Sequence, residues 1–122
     1  MQEISASIMN QKITRFDIHI SPNLAKKFEA NLECRAKVKT PKNKEDNSIL
    51  LDIELNIRTK DENLIVKLGS DTIFELDQLP DDYEVIAEQK LVPMARGALL
   101  DSLDDMLVIM GYSKMELAKK LS

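Results

Sequence analysis

Few side chains in this sequence could do chemistry, and each would need particular neighbours. His19 is the single histidine. As a general base it would need a partner to fix its tautomer and a pocket to shift its pKa. The sequence supplies only Asp17, two residues away on the same side of an extended run. A surface histidine is the better reading. Cys34, the single cysteine, stands between Leu32 and Ala36 on the apolar side of an alternating stretch. A thiol in that company packs as a small hydrophobe, with nothing beside it to lower its pKa. A lone cysteine also excludes an intrachain disulfide framework and paired-cysteine metal sites.

Carboxylates are more plentiful. Asp101, Asp104 and Asp105 are spaced i, i+3, i+4, so on a helix they share a face that could approach a hard cation. Three singly coordinating groups on an exposed face rarely suffice, and they read as a solvated surface. The run Glu75, Asp77, Asp81, Asp82, Glu84 reads as solubilising and helix-capping rather than as a catalytic pair. Gly69, Gly97 and Gly111 are too scattered to build a phosphate-cradling loop. The sequence therefore predicts no catalytic residue, no metal site and no cofactor, and a protein that is not an enzyme.

Composition narrows the classes further. The 122 residues suit one domain, 43% apolar and only 4% aromatic, so the core must be aliphatic. A net charge of −4 argues against a nucleic-acid partner. The small basic group Lys37, Lys39, Lys42 and Lys44 reads as a solvated strand end and turn. No secretory leader or membrane-length apolar stretch stands out, so a cytoplasmic protein without membrane insertion is expected.

The elements that position these residues change period midway. Residues 1–11 are weakly patterned, a helical turn or an edge segment. Strands are predicted from Ile13, across FEANLECRAKVK (28–39), from Ile49 to Arg58, and from Leu64 to Leu76, each with one apolar and one polar face. Ser21-Pro22-Asn23 breaks the first strand, and residues 41–48 form a hairpin-length loop. Gly69-Ser70-Asp71 signals a bulge or kink in the fourth strand. Leu79-Pro80 then breaks the chain, with Asp81 as a helix cap. From there to Met110 the pattern is helical, divided near Pro93, with an inward stripe of Leu99, Leu103, Met106, Leu107 and Met110. Gly111 closes that helix, and Ser113-Lys114-Met115-Glu116 reads as a capping box opening a last helix through Leu121.

Strands first and helices last predict an α+β fold: a four-stranded antiparallel sheet, meander or Greek key, across 12–76, with a helical part across 77–122 packed on one face. The main helix is apolar beyond its stripe, so it must bury a second side. Met94, Leu100, Val108, Ile109 and Met110, with Tyr112 just beyond, are expected to meet a partner or another subunit, and methionine suits an adaptable surface.

The runs ITRFDIHISPN, FEANLECRAKVK, SILLDIELNIRTK and LIVKLGSDTIFEL, followed by a linker and ARGALLDSLDDMLVIMG, resemble the SecB-like chaperones. Ala95-Arg96-Gly97-Ala98 falls where that family's long helix often begins with an arginine and small residues, and Asp71–Leu76 looks like the apolar end of its fourth strand. The resemblance implies dimers or tetramers that hold unfolded chains in apolar grooves, in export or in guarding labile antitoxins. The family's proline-rich stretch after the long helix is reduced here to Gly111-Tyr112-Ser113, and no export-motor tail precedes Ser122, so the resemblance does not carry export over and leaves export, antitoxin and phage contexts open. The expected function is thus a non-enzymatic, homo-oligomeric binding protein, a chaperone for unfolded or labile clients. The alternative is a phage-type accessory or regulatory protein that grips one folded partner through the acidic helix surface at Asp101, Asp104 and Asp105.

Overall fold

A computed structural model describes residues 5–39, 47–78, 81–113 and 115–121. Ile4, most of the 41–48 loop with Lys42 and Lys44, the Leu79-Pro80 breaker and Lys114 lie outside the described residues. Four strands, β1 (Ala6–Ile20), β2 (Ala30–Lys39), β3 (Ser48–Thr59) and β4 (Leu64–Leu76), form one antiparallel sheet in the order β1-β4-β3-β2. Consecutive strands β2, β3 and β4 are neighbours, and β1 returns beside β4, which is the Greek-key order. The α+β sheet expected from the sequence is present. β1 starts earlier than the pattern suggested: Ala6–Gln11 pair with Leu76–Thr72, so this part of the weakly patterned segment belongs to an edge strand.

The core follows from strict alternation. Ile49, Leu51, Ile53, Leu55 and Ile57 point to one side of β3, and Leu64, Val66, Leu68, Phe74 and Leu76 to the same side of β4, all buried. Each such side chain contributes roughly 1.5–3 kcal/mol on leaving water. Two polar residues interrupt the face, Ser70 and Thr72, and both are satisfied. Gln11 Nε2 donates to Thr72 Oγ1 at 2.9 Å and to the Ala95 carbonyl at 3.2 Å, tying β1, β4 and the covering helix together. The irregularity expected in β4 lies in its partner instead. β1 shifts register between Ile13 and Arg15, opposite Gly69, where an added Cβ would stand 3.2 Å from Arg15 Cβ. Glycine lets the bulged backbone approach.

The helices run α1 (Tyr83–Ile86), a π turn (Ala87–Leu91), α2 (Val92–Ile109) and α3 (Leu117–Leu121). The division expected near Pro93 falls at Val92, where α2 begins with the proline in its first turn, although the chain stays helical across it. The Val92 N–H reaches back five residues to the Ala87 carbonyl, and this wider turn takes up the proline that would otherwise clash with the preceding turn. The first helix begins after Asp82 rather than Asp81, without a side-chain cap bond. The buried stripe of α2 is Ala95, Leu99, Leu100, Leu103 and Leu107, so Leu100 joins it while Met106 is half-buried and Met110 exposed. The centre of the buried face lies nearer Leu103 and Asp104 than the predicted stripe placed it.

α2 closes as expected. Gly111 has φ of +100°, Gly111 N–H donates to Val108 O and Tyr112 N–H to Leu107 O, both at 3.0 Å. These two bonds are the Schellman closure. α3 is opened differently from the expected capping box. It starts at Leu117, and the side chain that meets its first amides is Asp104, thirteen residues back. The Leu117 and Ala118 N–H groups donate to Asp104 Oδ1 and Oδ2 at 2.8 and 3.1 Å. Asp104 is only 7% exposed and does not belong to a solvated acidic face.

Candidate functional site

One helix is about 10 Å across, whereas a four-stranded sheet spans about 14 Å between its edge strands. α2 and its flanking turns therefore bury the inner faces of β3 and β4 but leave the same face of β1 and β2 half-covered. Ile13, Phe16, Ile18 and Ile20 on β1, and Ala30, Leu32, Cys34 and Val38 on β2, are only partly buried.

Because β1 and β2 are opposite edges, residues 21–29 must pass over one end of the sheet. Ser21-Pro22-Asn23 turns the chain there: Ser21 N–H donates to Asn63 O at 2.7 Å, Leu24 N–H to Ser21 O at 3.0 Å, and Asn23 N–H to Ser21 Oγ at 3.1 Å. The bond to Asn63 straps the crossing segment onto the β3–β4 turn. That turn is itself fastened by Asp61, which accepts bonds from Thr59 Oγ1, Asn63 N–H and Asn63 Nδ2. These donors hold the Asp61 carboxyl below the usual carboxylate range, the Thr59 hydroxyl most of all.

Gly111 turns α2 back toward this same end. The result is a cleft of about 540 Å³ between the crossing segment and the α2–α3 connection. Ile20, Leu24, Phe28, Tyr112 and Met115 supply its apolar lining, and Ser21, Lys26, Ser113 and Lys120 are polar groups along it. The volume lies within the range of ligand clefts and suits a few side chains of an extended peptide. Lys120 Nζ lies 4.3 Å from the Phe28 ring centroid, so α3 holds one face of that ring.

Beside the cleft stands the bare end of α2. Ile109 is 84% exposed, Val108 51%, Met110 49% and Tyr112 38%. Large apolar residues are thus exposed together at one helix end, and Tyr112, two residues after Met110, also lines the cleft.

The six expected interface residues thus separate into three groups. Val108, Ile109, Met110 and Tyr112 stand together at this end. Met94 is half-buried at the other end of α2, about 22 Å along the helix axis from Ile109. Leu100 is fully buried in the core, so the expectation that it meets a partner is corrected: its angular position points it at the sheet. Sequence reasoning did not place Leu24 and Phe28 at a site, and counted Met115 only as apolar surplus just beyond the main helix. The available signal was Leu24, Ala25 and Phe28, apolar residues in a short connection after a Ser-Pro-Asn turn.

The chemical candidates remain apart. His19 is exposed on β1 beside a shallow depression shared with Asp17 and Lys67. Cys34 is half-buried; its burial pushes the thiol up, against a smaller opposing effect of the Arg96 charge. Asp101 and Asp105 are exposed while Asp104 is engaged with α3, so the three carboxylates do not form one surface. Among the described residues no group of histidine, cysteine and carboxylate side chains could hold a metal, and no helix is long and apolar enough to cross a membrane.

No known family profile matches the sequence, and no curated protein matches it. Its three-dimensional structure does have a counterpart. The SecB-like chaperone of Mycobacterium tuberculosis, solved in complex with a ChAD peptide from the HigA1 antitoxin, matches with a TM-score of 0.67. The match covers 89% of this chain and 86% of that one, at 13% sequence identity. The four-stranded antiparallel sheet with C-terminal helices is thus a SecB-like fold.

Proposed function

We propose that this chain is a non-enzymatic, SecB-like holding protein that binds unfolded or labile polypeptides and assembles into dimers or tetramers. The observation that carries the reading is the exposed apolar end of α2, Val108, Ile109 and Met110, close in the chain to Tyr112, which lines the cleft with Phe28. An extended client would place apolar side chains in the cleft and lay further ones against the helix end. Such binding needs no cofactor. The match to a chaperone solved with an antitoxin peptide supports a peptide-like client. The half-covered inner faces of β1 and β2 support self-association, since a second copy would complete the burial that one helix leaves unfinished.

Aggregation of a chemically unfolded client, followed by light scattering, tests the reading. The protein is expected to suppress scattering at near-stoichiometric ratio, and Ile109→Glu with Tyr112→Glu to abolish suppression without unfolding the chain. No suppression and no client capture by the unsubstituted protein would sink the holding role. Sedimentation at tens of micromolar tests assembly separately, a strict monomer being the adverse result. The alternative, one folded partner gripped by Asp101, Asp104 and Asp105, loses support because Asp104 is already committed to the Leu117 and Ala118 amides.

A further inference from the structure

The sheet face that no helix covers carries charges of its own. At the end near the β3–β4 turn its residues stand in transverse rows: His19–Ile65–Arg58–Asn31, then Asp17–Lys67–Asn56–Glu33, then Arg15–Gly69–Glu54–Arg35. A depression of about 420 Å³ lies over the β2, β3 and β4 members of the first two rows and reaches Arg35 of the third, whose partner Glu54 stands outside its lining. Four cations line it, Arg35, Arg58, Lys60 and Lys67, against one carboxylate, Glu33. In a chain of net charge −4 this is a local reversal of sign.

From this we infer that the open sheet face is a docking site for an acidic peptide segment of a protein partner. Its cations are available. Glu62 reaches Arg58 Nη1 only at 3.8 Å, with both side chains more than half exposed, so the pair holds Arg58 weakly. Asp17, opposite Lys67, is taken at 2.8 Å by Arg15 Nε. Among the described residues Arg35, Lys60 and Lys67 form no ion pair. Asn31 and Asn56, in the same depression, offer amide donors and acceptors to a peptide backbone. A nucleic-acid strand fits less well: the lining has no aromatic ring on which a base could stack, and the remaining surface repels a polyanion. That repulsion would also steer a short acidic segment to this face alone.

Fluorescence anisotropy with a labelled peptide alternating glutamate and serine tests the site, beside its glutamine twin and a labelled oligouridylate. The glutamate peptide is expected to bind, to weaken as salt rises, and to lose about tenfold or more in affinity with Arg58→Glu plus Lys67→Glu. The twin should not bind. Lys119→Glu on α3 and Ile109→Glu at the apolar end should leave affinity unchanged, so failure here and failure of the holding role are distinguishable. Both charge reversals fall on exposed side chains, and an unchanged thermal melt verifies folding. No binding of the glutamate peptide, equal binding of the twin, stronger binding of the oligouridylate, or indifference to the double reversal would each overturn the inference.

Discussion

Leu100 and Ile109 are aliphatic residues on one helix, both outside the stripe that periodicity picks out, and they meet opposite fates. Leu100 is 0% exposed and Ile109 84%. The first sits where α2 lies on β3 and β4; the second sits in the last turn, beside Gly111, where the chain is already turning away. The difference teaches that surplus apolar character on a helix does not itself mark an interface. Part of it is core that a projection places slightly wrong. Only the part left at the helix end, next to an open cleft, is surface.

Placing the same charge at both positions gives the largest contrast. Leu100→Glu puts an unpaired carboxylate into the core and is expected to cost about 3–5 kcal/mol, enough to abolish most of the stability of a domain this size. Ile109→Glu should change stability by less than about 0.5 kcal/mol. Urea denaturation of the two variants checks this. Equal losses would erase the distinction between core and surface on α2.

The contrast extends to the carboxylates. Asp104→Ala leaves the Leu117 and Ala118 amides without their acceptor, at a cost of about 1–3 kcal/mol confined to α3 and its packing on Phe28. Hydrogen exchange at those two amides should accelerate about tenfold or more while the middle of α2 stays protected. Asp101→Ala and Asp105→Ala, on exposed side chains, should leave the same amides unchanged. A uniform response to all three would mean that Asp104 is no anchor.

The smallest effect concerns the strapped end of the sheet. Folding depresses the Asp61 pKa, so its contribution is fully present above the ordinary carboxylate range. The contribution is lost as pH falls through the lowered folded value. Acid titration followed by nuclear magnetic resonance should therefore move the Asn63 and Leu64 amide signals at a pH below that of a free aspartate. Asp61→Asn should remove the dependence, and a midpoint at or above the free value would contradict the bonding described.

Much of the fold was legible because its signals are local. Alternation in β3 placed Ile49 to Ile57 on a dry face, and Gly111 marked the helix end, since each reflects backbone geometry within a few residues. The site was legible only in part. Tyr112 and Ile109 were singled out as apolar surplus, but Phe28, Leu24 and Met115 join them only because Greek-key order sends residues 21–29 across the sheet to meet the end of α2. Gln11 illustrates the same limit: it reads as polar residue in a weak segment, yet it bonds Thr72 and Ala95, 61 and 84 residues away.

By itself, then, the sequence determined which residues alternate and where the period changes from strand to helix. Tertiary structure alone decided that Leu100 is core, that Asp104 anchors α3, and that four cations gather on the open face of an acidic protein. The reason is physical. Strand and helix periods are set by neighbours in the chain, whereas burial and charge clustering are set by neighbours in space. A single helix too narrow for its sheet determines which apolar residues remain exposed.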